Sequence, residues 1–254
     1  MFKFFRSVRQ VLLSENKFSK YLLYALGEIL LVVIGILIAL QINNWNEQQK
    51  AQLELNAILI EVYNDLNSDL KELQRRTVFY ENFIDNIHIL QERHTALSGD
   101  SLALRISNLH RVASFNPVQF GYTKLNSNPN TGLISSNLVA TISDYYTTFG
   151  QNSINNTNSE FLSTYSLNLF RDFLIPYGFP ISEAFKFELP ISETQVFRAI
   201  TKEKEFWGIV RNMEYNWGIQ QFGIEEARTK AHANLNLLEE YFTAHEIEFQ
   251  KLTD

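Results

Sequence analysis

YLLYALGEILLVVIGILIALQI, the stretch from Tyr21 to Ile42, decides how this chain is organised. Glu28 is its one charged residue. At about 1.5 Å of rise per residue, a helix of this length covers roughly 33 Å, enough to cross a hydrocarbon core about 30 Å thick. The composition predicts a single transmembrane helix over residues 21–42, and no other run in the sequence is apolar enough to rest in hydrocarbon.

The flanks set its direction. Lys3, Arg6, Arg9, Lys17 and Lys20 precede it against only Glu15, whereas the residues just after it hold Lys50 against Glu47, Glu54 and Glu61. Basic residues stay on the cytoplasmic side, so the N-terminus is expected in the cytoplasm and everything after residue 42 across the membrane. A cleaved signal peptide has a shorter apolar region, about 7 to 15 residues, ending at small side chains. Here the run closes on Leu40, Gln41, Ile42 and Asn43, which reads as a retained signal anchor. Tyr21 and Tyr24 at one end and Trp45 at the other supply the aromatic side chains expected at the two interfaces. Wound as a helix, residues 1–13 place Phe4, Phe5, Val8 and Leu12 opposite Lys3, Arg6 and Gln10. That pattern suits either a basic amphipathic segment in the headgroup layer or a plain orienting flank. Twenty residues are too few for a folded cytoplasmic domain, so no kinase, cyclase or DNA-binding output is expected there.

Within the span, Glu28 is the candidate functional residue. A carboxylate in a membrane helix costs about 2.5 to 3.5 kcal/mol near the centre, and so calls for water, a proton or a partner. It lies seven positions past Tyr21, near enough to the cytoplasmic interface to be tolerated there, or placed to pair with a second membrane helix. Gly35 and Ala39 form a small-xxx-small pair, and Gly27 with Glu28 lies two turns earlier on nearly the same stripe. A partner helix, from another membrane protein or a second copy, is expected to pack there.

The run SENKFSKYLLYALGEILLVVIGILIALQINNWNE, Ser14 to Glu47, resembles the N-terminal signature of a family of single-span membrane proteins of Bacteroidota with no established activity. A weaker similarity continues through KLNSNPNTGLISSNLVATISDYY, Lys124 to Tyr146, with its small-polar turn, helix and paired tyrosines. The resemblance implies a Gram-negative inner-membrane location and brings no ligand, cofactor or catalytic residue with it.

Residues 43–254 are long enough for one sizeable domain. Taking the whole-chain charge of −6, removing +4 for residues 1–20 and −1 for Glu28, leaves about −9 there, which argues against nucleic acid and anionic lipid as partners of that part. The chain has no cysteine, so disulfide staples and thiolate metal or nucleophile chemistry are excluded.

Two long segments carry helical periodicity. Leu55, Leu59, Val62, Leu66, Leu70, Leu73, Thr77, Tyr80, Ile84, Ile87 and Gln91 step by threes and fours, predicting a helix over about 47–93 that leaves the membrane without a break. Phe206, Val210, Met213, Trp217, Gln220, Ile224, Ala227, Ala231, Leu235, Leu238, Phe242, His245 and Phe249 predict a second over about 203–250. Antiparallel packing is the simplest way to bury both stripes. Between them, shorter helices are expected over about 100–200. Leu102, Ile106 and Leu109 suggest one, Leu133 to Phe149 another and Phe161 to Leu174 a third; Phe115 to Pro129 reads as a loop, and Ser192 with Gln195 as a capping box. The fold class expected is all-α: a transmembrane helix continuing into an elongated periplasmic bundle built on a long antiparallel pair.

Signatures of chemistry are sparse. There is no phosphate loop, no Gly-x-Ser-x-Gly elbow and no His-Glu-x-x-His pair. His88 and His94, and His232 and His245, stand at spacings that do not converge on a metal, and the aromatic residues from Phe161 to Phe187 read as core rather than pocket. No enzyme activity, metal or cofactor is expected. The sequence points to a membrane-anchored periplasmic interaction or sensing module. A stator-like subunit using Glu28 as a proton carrier, or a hydrolase without a recognisable motif, are the alternatives.

Overall fold

A computed structural model describes residues 18–110, 115–150, 163–164, 168–169, 171–172 and 193–251. Six α-helices account for most of them: α1 (Phe18–Arg93), α2 (Gly99–Ser107), α3 (Phe120–Ser127), α4 (Ser136–Phe149), α5 (Glu193–Ile200) and α6 (Lys204–Ala244). Single 3-10 turns follow α2 at Asn108–His110 and precede α4 at Thr131–Leu133. No strand occurs among the described residues, and the fold is all-α. The chain divides into two compact units, Met1–Glu54 and Leu55–Asp254.

In the first unit, every residue from Leu26 to Lys50 except the half-buried Glu28 is exposed. An 18-residue window near the start of α1 reaches a mean hydropathy of 2.5 with none of it buried. This helix is long and apolar enough to cross a membrane.

The second unit is built on the two periodic stripes. Leu55, Leu59, Val62, Leu66, Leu73, Tyr80 and Ile87 of α1 are buried, as are all the predicted α6 positions from Phe206 to Phe242. The two helices run antiparallel within this unit. Asn56 meets Tyr241 (3.1 Å), Tyr63 donates to Glu239 (3.0 Å), Phe83 packs on Trp217 (4.7 Å between ring centroids), Gln91 donates to Glu214 (2.8 Å), and His94 lies against Trp207 (4.9 Å). The core falls into two clusters along this pair. One joins Leu55–Leu73, α3, α4 and the Ile224–Phe242 part of α6. The other joins Tyr80–Leu90, α2, α5 and the Phe206–Trp217 part.

Local signals start and stop the shorter helices. Ser98 caps α2, its hydroxyl accepting from the Ser101 N–H (3.3 Å), and Ser135 caps α4 through the Leu138 N–H (3.1 Å). In α5, Arg198 reaches back to the carbonyl of Leu97 (2.7 Å) and so ties this helix to the turn between α1 and α2. The predicted helix from Leu133 starts instead at Ser136, because Ser135 takes the cap and Thr131–Leu133 forms its own tight turn.

Two expectations are corrected. Phe115 to Pro129 is not a loop throughout, since α3 forms within it at Phe120–Ser127. The second long helix stops at Ala244 and not near residue 250. It ends in a reversed turn: Glu246 adopts φ 54°, its N–H bonds Thr243 O (3.4 Å), and Ile247 N–H bonds Phe242 O (2.9 Å). Glycine usually holds that left-handed position, and its absence hid the stop. Phe249 nonetheless reaches the core, through the turn rather than along the helix, packing on Tyr63 (5.3 Å) and Phe242 (4.9 Å). The predicted helix over Phe161–Leu174, the aromatic run to Phe187 and the side chain of Ser192 lie mostly or wholly outside the described residues.

Candidate functional site

The span residues singled out by sequence stand on the uncovered part of α1. Gly27 and Gly35 have nothing within 4 Å of the place where a β-carbon would sit, and Ala39 is exposed. Nothing within the described chain occupies the stripe these residues share with Glu28. Trp45 is 62% exposed. Lys20, Tyr21 and Tyr24 lie in α1, with side chains outside the description, and Lys3, Arg6, Arg9 and Lys17 lie outside the described residues.

A second set of polar residues was not singled out by sequence. Asp65 and Asp69 are one helical turn apart on α1 and both are buried, Asp69 to 1% exposure. They face the start of α3, a helix whose own N-cap residue, Gln119, makes no side-chain capping bond. The first N–H groups of any helix lack intrahelical partners, and here α1 supplies acceptors for them. Asp65 Oδ2 accepts from Gly121 N–H (2.7 Å), and Asp69 Oδ1 accepts from Val118 N–H (2.9 Å). Asp69 Oδ2 takes the hydroxyl of Tyr145 on α4 (2.9 Å), so one carboxylate fastens two neighbouring elements. The backbones come very close at this crossing. A β-carbon on Gly121 would sit 2.4 Å from the Val62 nitrogen and 2.8 Å from Glu61 carbonyl carbon, so only glycine fits.

Burial dominates the electrostatics. It pushes the Asp69 carboxyl up to about 7, helped by the neighbouring Asp65 charge and opposed by the Val118 and Tyr145 hydrogen bonds. Asp65 is raised by the same desolvation, and its bond from Gly121 pulls the other way. Tyr145 and Tyr146 are raised by burial and by the nearby aspartates. Tyr146 stacks on Tyr122 (4.5 Å, 11°), and its buried hydroxyl has no hydrogen-bond partner among the described residues. A proton can be held near neutrality here, but Asp69 is closed to solvent, so the arrangement is suited to fastening rather than to catalysis on a substrate. Among the described residues, no group of three or more His, Asp or Glu converges as a metal site.

A family model described as a family of unknown function, DUF6090, matches residues 28–158, just over half of the chain. The chain belongs to this family. The DUF6090 stretch opens at Glu28 in the span and takes in Asp65, Asp69, Gly121, Tyr145 and Tyr146, so the whole α1–α3–α4 fastening lies inside it. Helices α5 and α6 lie beyond the matched stretch. No curated protein and no solved structure matches the chain.

The paired tyrosines of the Lys124–Tyr146 resemblance are the two that enter this cluster. Asp65 and Asp69 carried a faint signal of their own: acidic residues placed four apart and directly beside the apolar stripe positions Leu66 and Leu70.

Proposed function

We propose that this DUF6090 protein is a membrane-anchored interaction or sensing module without enzymatic activity. In this reading the N-terminal segment is cytoplasmic, the span sits in the inner membrane of a Gram-negative cell, and the helical domain is periplasmic. The observation that carries the proposal is the apolar start of α1, exposed from Leu26 to Lys50 except at the half-buried Glu28, whereas the apolar stripes of the second unit are buried. Lipid is the partner such a surface requires, and the Gly27, Glu28, Gly35 and Ala39 stripe is where a second membrane helix would seat.

The experiment is a gentle-detergent pull-down of the tagged full-length protein from its native membrane, beside Glu28→Gln and Gly35→Leu, with mass spectrometry of what co-purifies. One membrane protein captured by the wild type and lost with both variants supports docking through the span. Capture that is unchanged in both variants removes the span from partner recognition and moves the search to the helical domain.

A further inference from the structure

On the α1–α2 side of the second core cluster, a groove of about 500 Å³ opens between residues 75–86 and 105–108. Its floor is aromatic: Phe79 and Phe83 stack at 6.4 Å and 28°, and Trp217 backs them at 5.6 and 4.7 Å. Its charged groups carry one sign. Arg105 and Arg75 line it with the amides of Asn82 and Asn86, and no carboxylate lines it among the described residues, although residues 43–254 as a whole are acidic.

Arg105 is held in place before any ligand arrives. Its Nη1 donates to Asn86 Oδ1 (3.2 Å) while Asn86 Nδ2 donates to the Arg105 carbonyl (2.9 Å), and Asn86 itself is buried. A guanidinium has five N–H donors, and only one bond from this one to a described residue is present. Arg75 shares the single carboxylate of Glu72 with Arg76, at 2.9 and 2.6 Å, which leaves one positive charge of that trio uncompensated. A cleft of this size with an apolar floor and a few fixed donors suits a small molecule, and a planar guanidinium fork matches a carboxylate.

We propose that this groove binds a small amphiphilic carboxylate, its apolar body against Phe79 and Phe83 and its carboxylate on Arg105 with Arg75. The site is independent of the span, so failure of partner capture through Gly35 would leave it standing. The test uses full-length protein in non-ionic detergent, titrated with 2-naphthoate by calorimetry and by Trp217-region fluorescence, with uncharged 2-naphthamide as the control ligand. Saturable 2-naphthoate binding is expected, at least tenfold weaker for 2-naphthamide and for Arg105→Gln, and several-fold weaker for the exposed Arg75→Gln. Arg228→Gln, at a half-buried α6 position paired with Glu225 and not lining the groove, should bind like the wild type. Arg105→Lys keeps the charge without the fork and should fall in between. Equal binding of acid and amide, no loss in Arg75→Gln, or no saturable binding by the wild type would each overturn the proposal.

Discussion

Asp69 keeps its proton up to about pH 7 in the folded protein, against an ordinary value of 3.8, because burial penalises the carboxylate more than the Val118 and Tyr145 bonds favour it. A folded pKa above the unfolded one means that stability is fully present below about pH 4 and is lost as pH rises through about 7, by at most about 4 kcal/mol at about 1.4 kcal/mol per unit. Thermal melts of the full-length protein should therefore fall from pH 5 to pH 8, and Asp69→Asn should flatten that slope; an unchanged slope would assign the titration to another group. The two tyrosines beside it should differ. Tyr145→Phe removes a bond to the buried Asp69 carboxyl, at a cost of about 1 to 3 kcal/mol, whereas Tyr146→Phe deletes a hydroxyl with no partner among the described residues and should cost under about 1 kcal/mol. Glu246, held at φ 54° where an L side chain is strained, should give about 1 kcal/mol of added stability when replaced by glycine, read as a higher melting temperature.

Between α3 and α1 the contact is backbone on backbone, and one position decides it. Gly121→Ala puts a β-carbon 2.4 Å from the Val62 nitrogen, where no flexible side chain can yield, and should cost roughly 3 kcal/mol or more. Gly218→Ala in α6 meets nothing within 4 Å, and should instead add about 0.5 to 1 kcal/mol. Chemical denaturation of the two variants side by side checks the pair; equal effects would mean that the close approach is not real. The same contrast explains what the sequence made legible. Both long helices announce themselves through periodicity, since each has to bury one stripe, and Leu55 to Ile87 and Phe206 to Phe242 follow that pattern closely. Helix α3 does not, because Phe120, Gly121, Tyr122 and Thr123 are poor helix formers and its acceptors Asp65 and Asp69 sit 56 and 49 residues upstream of their partners, on α1. No local window contains the cause of that helix. The candidate site was half visible for the same reason: the tyrosine pair stood out, but its aspartate partners Asp65 and Asp69 were not singled out, because what buries them comes from α3 and α4, far along the chain.

Across the whole second unit, the stripe from Leu55 to Leu90 is shared between two core clusters, each drawing on its own part of α6. Hydrogen exchange on the intact protein should resolve two cooperative groups of amides, one with α3 and α4 and one with α2 and α5; a single uniform group would show that the clusters act as one. Both clusters depend on α6, whose contacts with α1 span up to 185 residues of sequence. That distance is also a waiting time. At about 5 to 20 residues per second, roughly ten to forty seconds of translation separate the emergence of the first stripe from that of its cover. Throughout that interval α3 and α4 can cover only part of the Leu55–Leu73 row, and the rest of the stripe waits for α6. A chain that terminates before Lys204 lacks the helix that both clusters draw on, and should be cleared by proteases rather than accumulate.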